Sequence, residues 1–163
     1  ISTDTGCFRY TNTTADTFRI AASLVELGCN SAYINKVMFE TKSKEKIMLE
    51  REVYDTITYC ADGKCAIVWV TLDMLKSLNI GEDEIEGLAS IPRQIEGVLI
   101  GITMKEKEGG FFKISVRTNG NIDAAKFCSR FGGGGHKAAA GCSVNGSLED
   151  VRSQLIKAAE ETL

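Results

Sequence analysis

Phe131-Gly132-Gly133-Gly134-Gly135-His136-Lys137-Ala138-Ala139-Ala140-Gly141 joins four consecutive glycines to the only histidine of the chain, a lysine and a run of small residues. Four glycines in a row weaken a fold, because each loses backbone freedom on folding and adds no side chain to a core. What they permit is positive φ and a close approach of backbone to another group. Successive N–H groups in such a turn can converge on an anion, above all where a helix begins just after it. His136 and Lys137 would then stand at the lip of an anion site. A flexible linker is the plain alternative, but the flanks oppose it. Ile122 to Phe131 reads as an amphipathic helix, and Ala138-Ala139-Ala140 is too apolar for a Gly/Ser linker. A nucleotide-triphosphate P-loop is excluded, since that motif places glycine before its lysine and Ser/Thr after it, whereas here His136 precedes Lys137 and Ala138 follows.

The whole chain sets bounds on the function. A length of 163 residues suits one domain, or one domain with part of another. It can bury roughly 70% of its unfolded surface without staples. Apolar content of 44% and charged content of 25% are those of a globular protein. The net charge of −3 gives no chain-wide basic field, so any nucleic-acid contact must be local. Six cysteines (Cys7, Cys29, Cys60, Cys65, Cys128, Cys142) lie scattered without Cys-x-x-Cys pairs, which argues against structural zinc. Cys60 and Cys65 flank a tight turn and could face each other, though buried free thiols are the simpler expectation. The chain shows no leader and no apolar run of about 18 residues, so the expectation is a cytoplasmic protein without a membrane partner. The absence of an initiating Met leads us to expect a fragment of a longer protein.

Taken in order, Ile1 to Tyr10 reads as a strand end breaking into a turn at Thr3-Asp4-Thr5-Gly6. Thr13 or Thr14 caps a helix that ends at Gly28, and Ser31 to Glu40 reads as a second helix. Lys42 to Asp55 is charged and helix-favouring, either a connection between domains or a solvated helix. Two β-branched runs, 56–60 and 65–70, flank Ala61-Asp62-Gly63-Lys64 as a hairpin. Trp69 reads as a core residue. Helices are expected over Leu72 to Leu78 and Glu82 to Ala89, and a strand pair over Gly97 to Lys105 and Phe111 to Thr118. A helix over Ile122 to Arg130, a strand over Cys142 to Val144 and a helix capped by Ser147 complete the chain. The pattern predicts an α/β fold with a mixed β-sheet flanked by helices. Arg117, at the end of a predicted strand, offers a planar fork to phosphate or a face for a base; a solvated strand-end arginine is the alternative.

Gly132-Gly133-Gly134-Gly135-His136 followed by Ala139-Ala140-Gly141, with Ser115-Val116-Arg117-Thr118-Asn119-Gly120 upstream, resembles the signature of the DHH-associated C-terminal domain of phosphoesterases. Thr118 stands where serine is usual. Asp4-Thr5-Gly6-Cys7-Phe8-Arg9-Tyr10 is similar to the last conserved block of the DHH catalytic domain, whose Asp is a metal ligand. The relatives this suggests are nano-RNases and pAp phosphatases. The resemblance implies a short, mostly helical remnant of a DHH domain over 1–40, a linker helix over 41–53 and the complete associated domain over 54–163. It implies that Arg117, Gly132, Gly133, Gly134, Gly135 and His136 hold substrate, a short single-stranded RNA or mononucleotide. It implies catalysis by a metal-dependent DHH domain, usually with manganese, to which Asp4 alone contributes here. The fragment is therefore expected to bind no metal by itself and to be inactive by itself. Its expected partners are substrate and the missing DHH domain, with a homodimer left open. The alternatives are a free-standing nucleic-acid module, or a phosphoesterase acting on cyclic dinucleotides or polyphosphate.

Overall fold

Alternation along the strands decides which side of the sheet meets which core. The computed structural model describes residues 1–81, 85 and 87–163, and these form two compact units, Ile1–Ser43 and Lys44–Leu163.

In the first unit the expected strand at Ile1 is not formed. The segment winds on itself instead, with Thr5 N–H donating to the Ile1 carbonyl at 3.1 Å and Cys7 N–H to the Ser2 carbonyl at 2.7 Å. Buried Thr5 reinforces this turn, its hydroxyl donating to the Ile1 carbonyl at 2.9 Å and accepting from Phe8 N–H at 3.0 Å. Cys7 and Phe8 take φ of 57° and 62°, a left-handed conformation that L residues adopt only when their surroundings fix it. The Phe8 ring stacks on Phe18 at 5.2 Å between centroids. Helix α1, Ala15–Glu26, starts at Thr14, whose hydroxyl accepts from Thr17 N–H. Helix α2, Ser31–Asn35, runs on into a π-helical turn, Lys36–Glu40, so the helix expected there changes pitch midway. Phe18, Leu24 and Val25 of α1 are exposed.

The second unit begins with helix α3, Lys44–Asp55. There follow β1, Thr58–Cys60, β2, Cys65–Val70, and α4, Leu72–Ser77, then two short 3₁₀ turns, Leu88–Ser90 and Pro92–Gln94. The chain continues through β3, Ile100–Lys107, β4, Phe111–Thr118, α5, Ala124–Ser129, β5, Gly134–His136, β6, Ala139–Asn145, and α6, Leu148–Glu160. The six strands lie in the order β1-β2-β3-β4-β6-β5. Only β2 and β3 run parallel, joined by a crossover that carries α4.

One face of the sheet is covered throughout. Ile67, Ile102, Ile114 and Val116 pack there in one core with Phe127 of α5 and Leu155 of α6. The other face is covered only in part. Val68 and Val70 of β2 share a second core with Leu49 and Val53 of α3, Leu75 of α4, and Leu88 and Ile91 of the 3₁₀ turns. That layer stops at β3. A Cβ on Gly101 would come within 2.8 Å of the Arg93 amide nitrogen, so glycine is what lets the second 3₁₀ turn lie on the strand. Among the described residues, no helix lies on the same face of β4, β6 and β5.

Leu49 and Val53 of α3 are fully buried in the second core, while Ile47, Met48 and Tyr54 of the same helix are exposed. Leu49→Ala should destabilise the second unit by about 2–5 kcal/mol, as for other fully buried leucines. Urea unfolding of the variant checks this, and a change below about 0.5 kcal/mol would mean that α3 merely lies on the surface.

Most expected elements form, with shifted ends. The 82–89 helix falls mainly on Glu82, Asp83, Glu84 and Glu86, outside the described residues, and its end, Leu88–Ser90, is 3₁₀. The last strand is longer than the expected Cys142 to Val144 and starts at Ala139. Cys60 and Cys65 do face each other as register partners across the hairpin. Cys65 is pushed above the usual thiol range by its hydrogen bond with Cys60 and by burial, while the same bond lowers Cys60. Cys128 and Cys142 form a second such pair between α5 and β6, and all six cysteines are free. Trp69 packs against the first core with the Arg152 guanidinium 5.5 Å from its ring centroid.

Candidate functional site

The glycine run divides into two parts with different work. Gly132, at φ 71°, ends α5: its N–H donates to the Ser129 carbonyl at 3.1 Å, and Gly133 N–H to the Cys128 carbonyl at 3.0 Å. This pair of bonds is a Schellman helix ending, and it occupies both donors. The expected cradle of four converging N–H groups is therefore not formed, because two of the four cap a helix. Gly134 and Gly135 belong to β5 instead, with Gly134 opposite Gly141, Gly135 opposite Ala140 and His136 opposite Ala139. As the outermost strand, β5 keeps the outward half of its backbone groups unpaired.

Close approach explains why two of these positions are glycine. A Cβ on Gly133 would lie 2.2 Å from the Gly141 carbonyl oxygen and 2.4 Å from the Cys142 Cβ. On Gly135, at φ 149°, it would lie 2.7 Å from the Ala139 oxygen and the Ala140 Cα. Gly134 differs: a Cβ there meets nothing within 4 Å, and its φ is not positive.

Register brings Arg117 and His136 together. Arg117 of β4 is opposite Ala139 of β6, which is opposite His136 of β5. Directly opposed residues share a face, so the two side chains rise from the same side of the sheet about 10 Å apart, with only an alanine methyl between them. The side is the uncovered one, because Val116 and Ala140 point into the core. Going down the strands, the next row is Ser115, Gly141 and Gly134, and the next Lys113 and Ser143. The floor is made of small residues, His136 and Lys113 are exposed, and Arg117 is half-buried with one Nη donating to the Val116 carbonyl at 3.0 Å. No Asp or Glu occupies any position of β4, β5 or β6 on this face, although the chain holds 22 acidic residues.

Thr118 fixes the row, a role that the sequence reading did not give it. Its hydroxyl, 5% exposed, lies 3.0 Å from the Ile122 carbonyl and 3.1 Å from the Lys137 carbonyl. Its N–H donates to the Ala138 carbonyl, and Ala124 N–H donates to the Lys137 carbonyl at 2.8 Å. Lys137 and Ala138 form the hairpin tip without the positive φ that two-residue hairpin turns usually adopt. These bonds from β4 and α5 hold the tip, and hence His136. Thr118→Val should cost about 0.5–1.5 kcal/mol in urea unfolding by removing the hydroxyl's bond to these carbonyls, and Thr118→Ser should restore most of it. Equal losses in both variants would show that the methyl, not the hydroxyl, matters.

Asp4 belongs to the first unit. Its residue is exposed, and its backbone carbonyl accepts from Asn12 Nδ2 at 3.0 Å. Among the described residues no three His, Cys, Asp or Glu side chains cluster to hold a metal ion. One carboxylate does not make a two-metal donor set. A groove of about 680 Å³ lies on the opposite, helix-covered side, lined by Asp123, Lys126, Arg130 and Glu161. Arg130 there is ion-paired with Glu161 and donates to the Ala158 carbonyl, so its charge is already satisfied. No helix of the described residues is long and apolar enough to cross a membrane.

A mixed sheet flanked by helices, with an arginine and a histidine in one row over small residues, defines the class: an α/β module. The DHHA1 domain model matches residues 62–163, and the chain belongs to that family, the associated domain of the DHH phosphoesterases. It is 30% identical over its whole length to the bifunctional oligoribonuclease and PAP phosphatase NrnA of Thermus thermophilus, covering 48% of that protein. Over 86% of its length it is 24% identical to the protein of the same name from Bacillus subtilis, covering 44% of it. The chain thus spans about half the length of the curated relatives it matches. An exopolyphosphatase-related protein of Bacteroides fragilis shares the fold over 98% of this chain and 48% of its own, with a TM-score of 0.87 at 24% identity.

Proposed function

We propose that the open face of β4, β6 and β5 holds the phosphates of short oligoribonucleotides or of pAp for a DHH phosphoesterase. The observation that carries this is the shared row of Arg117 and His136, with no Asp or Glu at the positions of β4, β5 and β6 on that face. Arg117 takes one phosphate through its planar fork, and His136 takes an adjoining oxygen. The names of the Thermus thermophilus and Bacillus subtilis relatives support this substrate class. Hydrolysis belongs to a DHH domain with a divalent-metal site, manganese in our proposal, to which Asp4 contributes one ligand. In this reading the first unit is the end of that domain, and the exposed apolar residues of α1 are covered by the rest of it.

The test is turnover by residues 1–163 beside turnover by the full-length protein, with manganese, on a triribonucleotide, pAp, pGpG and polyphosphate. We expect none from the shorter chain, and hydrolysis of the triribonucleotide or pAp by the full-length protein. Turnover by residues 1–163 that survives re-purification and is lost in Asp4→Ala would overturn the division of labour. Full-length activity confined to pGpG or polyphosphate would overturn the substrate class.

A further inference from the structure

The uncovered face extends well beyond the row that holds one phosphate. Lys113 lies four residues from Arg117 on β4, on the same face and about 13 Å away along the strand. It is exposed, and no described group bonds to it. Lys105, its opposite number on β3, is by contrast engaged with the Ile85 carbonyl at 3.4 Å. Two residues further on the same face is Phe111, half-buried yet packed into neither hydrophobic core. Its neighbours across the strands are Asn145 and Lys107. Between Arg117 and Lys113 the floor is Ser115 with Gly141 and Gly134, all small residues. An unpartnered cation beside an aromatic ring that belongs to no core is the pairing that single-stranded nucleic acid uses, phosphate on the charge and base on the ring.

We infer that Lys113 and Phe111 form a further nucleotide subsite, so that a 5′-phosphorylated trinucleotide runs down β4 from Arg117 with its third phosphate at Lys113 and the adjoining base on Phe111. The occupant is an oligonucleotide because Arg117 and Lys113 are spaced along one strand, and no position of β4, β5 or β6 on this face is Asp or Glu. A mononucleotide bisphosphate ends before reaching Lys113. This inference rests on the proposed function above. It makes length preference a property of this face.

NMR-detected titration of residues 1–163, without metal, with a 5′-phosphorylated triribonucleotide and with pAp separates the two claims. Lys113→Ala should raise the trinucleotide Kd about fivefold, the effect of one exposed charge contact, and move the pAp Kd by less than twofold. The slope of log K against log salt for the trinucleotide should become shallower by about 0.7, the share of one phosphate of a single strand. Phe111→Leu should weaken the trinucleotide and keep the salt slope. If Arg117→Ala weakens both ligands while Lys113→Ala changes neither, the subsite is wrong and the phosphate site stands. If neither ligand binds, or Arg117→Ala affects neither, the phosphate site itself falls and the subsite with it.

Discussion

Gly133→Ala should unfold the second unit more easily than any other single-carbon change in the glycine run. The added Cβ would lie 2.2 Å from the Gly141 oxygen and 2.4 Å from the Cys142 Cβ, and both neighbours are held in β6. Neither is the free end of a flexible side chain, so the sheet or the helix ending must move. Forced overpacking of this kind costs about 1–3 kcal/mol and occasionally more. Gly134→Ala, one residue on, meets nothing within 4 Å and needs no positive φ, so its effect should stay within about 0.5 kcal/mol. Urea unfolding of the two variants side by side measures the contrast. Equal stabilities would mean that the packing of the run on β6 is looser than described.

The second large effect is on substrate. In the full-length protein, His136→Ala should raise KM by about 10- to 150-fold, the loss of one charge-assisted hydrogen bond worth about 1.5–3 kcal/mol. Because His136 is exposed on an edge strand, stability should change far less than in Val68→Ala. Gly134→Val should raise KM as well. Gly134 shares its face with Arg117 and His136, so the valine would occupy the floor of the site without disturbing the fold. Arg117→Lys should not rescue Arg117→Ala, since an ammonium keeps the charge and loses the planar fork. Wild-type KM in both His136→Ala and Gly134→Val would make the glycine run structural only.

Much of this was legible in the sequence because strands with alternating or continuous β-branched residues announce themselves. The runs 65–70 and 111–118 are observed as Cys65–Val70 and Phe111–Thr118. Ser147 caps α6 as its position implied, accepting from Asp150 N–H. The glycine run misled for a physical reason. Gly134 and Gly135 have no β-propensity, and neither do Ala139, Ala140 and Gly141 opposite them. Their pairing comes from how closely bare backbones approach and from the tethers at Lys137, neither of which shows in a hydrophobic pattern. The site residues Arg117 and His136 could be named from their motifs, but their common row needs the strand order β4-β6-β5. Thr118 was visible only as a departure from serine. Its two carbonyl partners lie 4 and 19 residues away, and the distant one is what makes it matter.

The central claim is that one sheet face binds nucleotide phosphate through Arg117 and His136. Titrating pAp into isotopically labelled residues 1–163 tests it without any catalytic step. The account predicts saturable shifts concentrated at Arg117, Ala139, Gly141 and Gly134 to His136, with binding weakened at least tenfold in Arg117→Ala and in His136→Ala. Shifts confined to the Asp123–Arg130 groove, or binding unchanged in both variants, would contradict it.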